Sequence, residues 1–453
     1  MTEPLAPLPL APLTEALLEA ARRAGAEGAD AMAIAGTSQS IDVRAGALEQ
    51  AERAEGIEIG LRVLIGRRQA CVSASDVRAE TLAAMAERAV AMAREAPEDP
   101  HLRLAQPDEL SARRDAAGLV LDDPAPEPLP EALEDDARRA EAAALAVAGV
   151  AQVQAASAAW GRREVHLAAS NGFSGGYART SRHASCVAIS GAGTGMERDW
   201  HAESRVFQAD LPDAEMIGRI AGERAVARAG ARKPKTGAFP VLYDERISAG
   251  LIRHLLSAIN GSSVARGSSW LRDAMGQEVL PADMSLTENP LRKRVSGTRP
   301  FDAEGLATGA RVLVREGVLE SWVLDLATAA KLGLQSTANA VRGVASPPSP
   351  SASNITLTQG LASREDLLAE MGTGLLVTSL IGSSINPTTG DYSRGASGFW
   401  VENGEIAWPV NECTIAGNLR DMLQRITPAN DARLHLSDQV PSLLVEGLTI
   451  AGE

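Results

Sequence analysis

Residues 398–410 read GFWVENGEIAWPV, two apolar-rich runs about the Asn403-Gly404 pair. Asparagine and glycine readily take positive φ at both central positions of a two-residue turn, and a turn of that kind joins antiparallel strands. The second half of the chain must therefore build an antiparallel sheet. Glu316-Gly317 makes a similar turn within ARVLVREGVLESWVL, and final strands are expected near Ser442 to Ala451. Between these hairpins, GVASPPSPSASN is too rich in proline and serine for regular structure and is expected to be a mobile surface loop.

The first half alternates helices with hairpins. Apolar spacing predicts helices over Leu13–Arg23 and Arg78–Glu95, and β-branched residues flanking Gly66 predict a hairpin over Ile57–Ser73. The acidic, proline-rich LDDPAPEPLPEALEDD is read as a surface connection before a third helix running to about Ala148. A meander follows, with VAQVQAASAAW, REVHLAAS, a turn at Asn171-Gly172 and a long strand to about Ser190; Met216–Ala229 is a last helix. Pro234 and Pro240 in ARKPKTGAFP resist helix continuation and mark a linker. A chain of 453 residues exceeds one ordinary core, so two domains are expected: residues 1–235, an antiparallel sheet with long helices, and residues 236–453, a β-rich domain. The class is α+β, and no repeat of fixed period is seen.

Composition narrows the function. Apolar residues at 45% and charged residues at 23% suit a globular protein. A formal charge of -14 repels phosphate backbones and disfavours nucleic acid. No apolar run approaches the roughly 18 residues of a membrane span, and MTEPLAPLPLAPLTEALL lacks a positive n-region, so the expectation is a cytoplasmic protein without membrane contact. Cys71, Cys186 and Cys413 are odd in number and far apart, which favours reduced thiols over disulfides or CxxC zinc sites.

Residues 250–263, GLIRHLLSAINGSS, form an apolar helix on which Ile247, Leu251, Ile252, Leu255, Leu256 and Ile259 share a broad face with His254 at its rim. All six histidines lie at least 17 residues from one another, so none forms the paired spacing of a helical metal site. EMGTG at residues 370–374 lacks the spacing and lysine of a phosphate loop and is read as a tight connection. Asp391 to Arg394 is read as a loop in which Ser393 has no sequence-near base to activate it.

The runs SAINGSSVARGSSWL, TRPFDAEGL, GVLESWVLDLATAAKLGLQST, EMGTGLLVTSLIG and GDYSRGASGFWVENGEIAWPVNECTIAGNLRDM resemble the PmbA branch, also called TldE, of the TldD/PmbA family over nearly all of residues 238–453. In the first half the resemblance is looser and rests on element order and ASNGFSGGYARTS. It implies a metallopeptidase system of two related subunits, in which the TldD-type subunit holds catalytic zinc through an HExxxH helix and a cysteine near its C-terminus. Aligned on Gly261 and Arg266-Gly267, those positions carry Ile252, Arg253 and Ser257 here, and the cysteine position falls at about Val440. Isoleucine gives zinc no lone pair, serine is a poor substitute for imidazole, and arginine offers donors only. His254 is turned about 200° from the first ligand position and cannot stand in.

The expectation is therefore a chain with no catalytic residue, metal or cofactor of its own, and with zinc only in a TldD-like partner. The implied assembly is a heterodimer with that partner, or a homodimer, acting on unfolded or modified peptides. Arg253, with Ser257 and Asn260 on the same polar side, is a candidate peptide or partner contact, as are Ser393 and Arg394; an ion-paired surface role for Arg253 stands beside that. Exposed strand edges offer a further way to hold extended peptide. Two other classes remain: a regulatory protein of the gyrase-modulator type acting through protein contacts, and an autonomous metal-independent peptidase using Ser393 or a cysteine.

Overall fold

The computed structural model describes residues 9–452; residues 1–8, which begin the stretch read as lacking a leader, lie outside the described residues. The first half runs α1 (Leu10–Ala24), β1 (Gly28–Arg44), β2 (Ala47–Ile65), β3 (Arg68–Ala74), α2 (Ala79–Glu95), α3 (Pro130–Leu145), β4 (Val150–Ala169), β5 (Ser174–Ser190), β6 (Glu197–Arg205) and α4 (Ala214–Ala227). Its strands form one sheet in the order β3-β2-β1-β4-β5-β6, each pair antiparallel. Because successive side chains alternate faces, Ala31, Ala33, Leu61 and Val63 pack beneath α1 and α2, and Ile41, Val43, Ala158 and Trp160 beneath α3. All four helices thus lie on one face. Asp30, Met32, Ile34, Gly36 and Ser38 point to the other.

Two readings of this half change. The sheet is longer than the hairpin at Ile57–Ser73, since β1 and the first half of β2 extend it through a turn at Ala45 (φ 53°) and Gly46 (φ 71°). LDDPAPEPLPEALEDD is not wholly a surface connection, because α3 begins within it and both Leu121 and Leu133 are buried.

The second half runs β7 (Gly237–Tyr243), α5 (Glu245–Ala258), α6 (Gly261–Ala265), β8 (Leu286–Glu288), β9 (Arg311–Arg315), β10 (Val318–Leu319), α7 (Leu326–Leu332), β11 (Ala340–Val341), β12 (Ser349–Pro350), β13 (Ile355–Leu357), α8 (Arg364–Met371), β14 (Gly374–Ile385), β15 (Asp391–Glu402), β16 (Glu405–Asn418), α9 (Leu419–Gln424), β17 (Ile426–Pro428) and β18 (Leu443–Ala451). Its main sheet has the order β16-β15-β14-β7-β18-β17, and β16 also pairs with β18, so the ladder closes on itself. Closure leaves few free edges. The β7–β14 pair is parallel, an exception to the antiparallel pattern. Positive φ at Asn403 and Gly404, and at Glu316 and Gly317, places primed turns where the sequence puts them. EMGTG is a tight connection: a Cβ on Gly374 would stand 2.4 Å from the Pro240 carbonyl oxygen.

Two loop readings are corrected. Asp391 to Arg394 belong to β15, paired with both β14 and β16. GVASPPSPSASN is fastened rather than free: Ser349 and Pro350 pair with β11, and Asn354 is fully buried, its amide nitrogen donating to Thr298 Oγ1 at 2.8 Å. Its Val344 lies on the open face of the first sheet, where Gly60 leaves room; a Cβ there would stand 2.0 Å from the Val344 carbonyl oxygen. Beside it, Asp30 on β1 is held between Arg62 of β2, at 2.5 Å, and Arg342, whose side chain is fully enclosed.

Candidate functional site

Helix α5 follows β7 directly and starts at Asp244, whose carboxylate accepts from the Arg246 backbone N–H at 3.2 Å and from its Nε at 2.8 Å. Leu251, Ile252, Leu255, Ala258 and Ile259 enter the main core with strands of the closed sheet. His254 is half-buried at the rim, its ring 5.9 Å from that of Tyr392 and nearly edge-on. Tyr243 donates to the Tyr392 hydroxyl at 3.4 Å, extending the row. Burial, with a smaller contribution from the Arg394 cation, holds His254 below the usual imidazole range, so it is neutral at pH 7.

The three positions aligned with the zinc motif go separate ways. Ile252 has no exposed surface and shares a core cluster with Val440, the position aligned with the cysteine ligand. Arg253 is 68% exposed and reaches Asp438, with Nε and Nη2 each 2.8 Å from the same carboxylate oxygen. Ser257 is exposed. Ile252 therefore faces the core and Ser257 the solvent, and neither presents a donor of the kind zinc favours. Hydrocarbon at two positions, a cation at the third and an alcohol at the fourth do not fit a zinc site. Among the described residues, no three His, Cys, Asp or Glu side chains are grouped so as to hold a metal.

Three family models cover most of the chain, described as PmbA/TldA metallopeptidase domain 1 (residues 29–93), central domain (122–229) and C-terminal domain (236–452). Metalloprotease PmbA of Escherichia coli O157:H7 is 35% identical over 429 residues, 94% of this chain and 93% of that one. The chain belongs to the PmbA/TldD metallopeptidase family. The Haemophilus influenzae homolog of Metalloprotease PmbA is 33% identical over 96% of this chain and 94% of its own. Among solved structures, a Bacteroides thetaiotaomicron protein provisionally described as a modulator of DNA gyrase superposes with a TM-score of 0.89 at 26% identity, covering 98% of both chains.

Against this PmbA/TldD background, the remaining candidate contacts do not form one constellation. Asn260 caps α6, accepting from the Ser262 N–H at 2.9 Å and donating to the Pro350 carbonyl at 2.7 Å. Ser393 and Arg394 are neighbours on a strand and so face opposite sides; Arg394 shares the side of Tyr392, turned toward α5, and Ser393 faces away from His254. Residues that sequence reasoning missed lie on the open face of the first sheet. Arg163 on β4 stands directly opposite Arg179 on β5, and both line a cavity with Arg299 and Arg342 from the second half. The one hint was the Arg162-Arg163 pair, whose strand alternation sends the two to opposite faces.

Proposed function

We propose that this chain is the zinc-free subunit of a cytoplasmic PmbA/TldD-type metallopeptidase, acting beside a TldD-like partner on unfolded or modified peptides and pairing with its own copies when that partner is absent. The observation that supports this most is the fate of the motif positions: Ile252 is committed to the core, Arg253 to Asp438, and Ser257 to solvent. Arg253 offers no base for water, since its guanidinium keeps its proton at any working pH. Hydrolysis then falls to the partner. This chain contributes shape and charge to the assembly, with Arg253 and Arg394 as proposed contacts to peptide or partner.

The test is to purify the chain alone and with its TldD-like partner and to follow cleavage of an unfolded peptide. The lone chain should be inert and the pair active and sensitive to chelator; cleavage by the lone chain at the pair's rate would overturn the proposal. An autonomous thiol peptidase gains no support, because burial pushes the Cys186 thiol up to about 12 and the Cys413 thiol up to about 11, leaving almost no thiolate at pH 7. A regulatory reading draws on the description carried by the Bacteroides relative; with a charge of -14, direct DNA binding is disfavoured, and the expected gel shift is none.

A further inference from the structure

Across the open face of the first sheet, register brings Gly56, Gly36, Arg163 and Arg179 into one row, and Ala54, Ser38, Gly161 and Ser181 into the next. The small side chains floor a groove of about 640 Å³, with Ile34, Leu121, Val206 and Val295 on its apolar parts. That volume falls in the range of roughly 300–1,000 Å³ common for small-ligand sites. Ile34, Arg163 and Arg179 also line a second cavity of about 260 Å³, bounded by Arg299 and Arg342.

The two cavities thus join an apolar trough to a cationic end. Like charges opposite each other on one sheet face repel. Arg163 is exposed and has no acid or hydrogen-bond partner among the described residues. Arg179 donates to the Ser296 carbonyl and, at 2.5 Å, to that of Thr298. Arg299 spends Nη2 on the Ser351 carbonyl at 2.8 Å and leaves Nη1 without an acceptor, while Nε and Nη2 of enclosed Arg342 also lack one. Buried donors without partners are costly, and an oxyanion would satisfy them. The acids nearby leave these donors open: Asp30 takes only Nη1 of Arg342, and Glu288 lends its charge to Arg299 while accepting from Asn339 and the Ser353 N–H. Asp302 accepts from the Glu304, Leu306 and Ala340 N–H groups, Glu55 pairs with Arg53, and Glu58 lies across the groove on β2.

We infer that this groove binds the C-terminal end of a short peptide, its carboxylate between Arg163 and Arg299 and its preceding residues along the glycine-floored trough. A peptide as carrier of the carboxylate rests on the peptide-processing reading above; the oxyanion site rests on the arginines alone. The test is calorimetric titration of the full chain with N-acetyl-trialanine as free acid, with the same peptide as C-terminal amide, and with inorganic phosphate.

The free acid should bind at least about tenfold tighter than the amide, and phosphate should displace it only at far higher concentration. Arg163→Gln should weaken the acid about tenfold, leave the amide unchanged and not lower the melting temperature, since Arg163 holds nothing in the fold and its charge faces that of Arg179. Equal affinity for acid and amide, no binding of the acid, or an indifferent Arg163→Gln would overturn the inference. Phosphate competing as well as the acid would overturn the peptide assignment. None of these outcomes bears on whether the two-subunit assembly cleaves peptide, so the two proposals fail separately.

Discussion

Arg253 projects from the outward side of α5 and ends on Asp438, a residue 185 positions away. The donor chemistry of Ile252, Arg253 and Ser257 is set by side-chain type and so is read from the sequence alone. Asp438 is not, because nothing local marks a long-range ion pair. An exposed pair of this kind contributes about 0.2–1 kcal/mol, so Arg253→Ala should change unfolding stability by no more than that in urea titration. The same variant, assayed in the two-subunit complex, should lower peptide cleavage if Arg253 touches peptide or partner; unchanged cleavage removes it from the proposed contacts. Gly60 behaves differently. A Cβ there would meet the Val344 carbonyl oxygen at 2.0 Å, so Gly60→Ala should cost about 1–3 kcal/mol by urea unfolding, through displacement of the segment that carries Arg342.

The elements that carried strong local signals are those the sequence placed well. Asn403-Gly404 and Glu316-Gly317 announce their hairpins because their residues tolerate the positive φ the turns require. The β1–β2 hairpin is the counterexample: its turn uses Ala45 at φ 53°, and ALEQAERAEGIE is full of good helix formers yet pairs as strand with β1, interrupted only by a bulge at Glu49. Pairing with β1, not local preference, decides that stretch. The proline-serine segment misled in the opposite sense, since its order comes from contacts with distant residues: Asn354 with Thr298, Val344 with Gly60 and, just before the segment, Arg342 with Asp30. That last contact makes a sharp prediction. Asp30→Ala would leave Arg62 and Arg342 facing each other without their shared acid, and the loss should be about 3–5 kcal/mol, read from urea unfolding. A loss below about 1 kcal/mol would mean that Asp30 does not tie loop to sheet.

For the molecule as a whole, the join between the halves is where acid chemistry should appear. Burial pushes the Asp302 carboxyl up to about 6 despite its three backbone N–H donors, and pushes Glu304 well above its usual range, with Asp302 and then Asp325 adding to the effect. A raised carboxyl binds its proton more tightly in the folded chain. Its contribution is therefore full below the unfolded value near 4 and is lost as pH rises through about 6. Asp302→Asn should remove that loss, so that the difference in stability between variant and parent shifts toward the variant by roughly 1–3 kcal/mol from pH 4 to pH 7, measured by urea unfolding at each pH. A difference independent of pH would show that Asp302 does not titrate in that window. Fold class was legible at this scale from patterning alone. The face on which Arg163, Arg179, Arg299 and Arg342 meet was not, because it exists only once strands from the first half lie against loops from the second.

The central claim is that α5 carries no zinc, and the most direct measurement is the metal content of the chain purified alone after equilibration with zinc and removal of excess ion. The expected result is zinc far below one per chain, unchanged by Ser257→Ala. One tightly held zinc per chain, lost on that substitution, would contradict the claim.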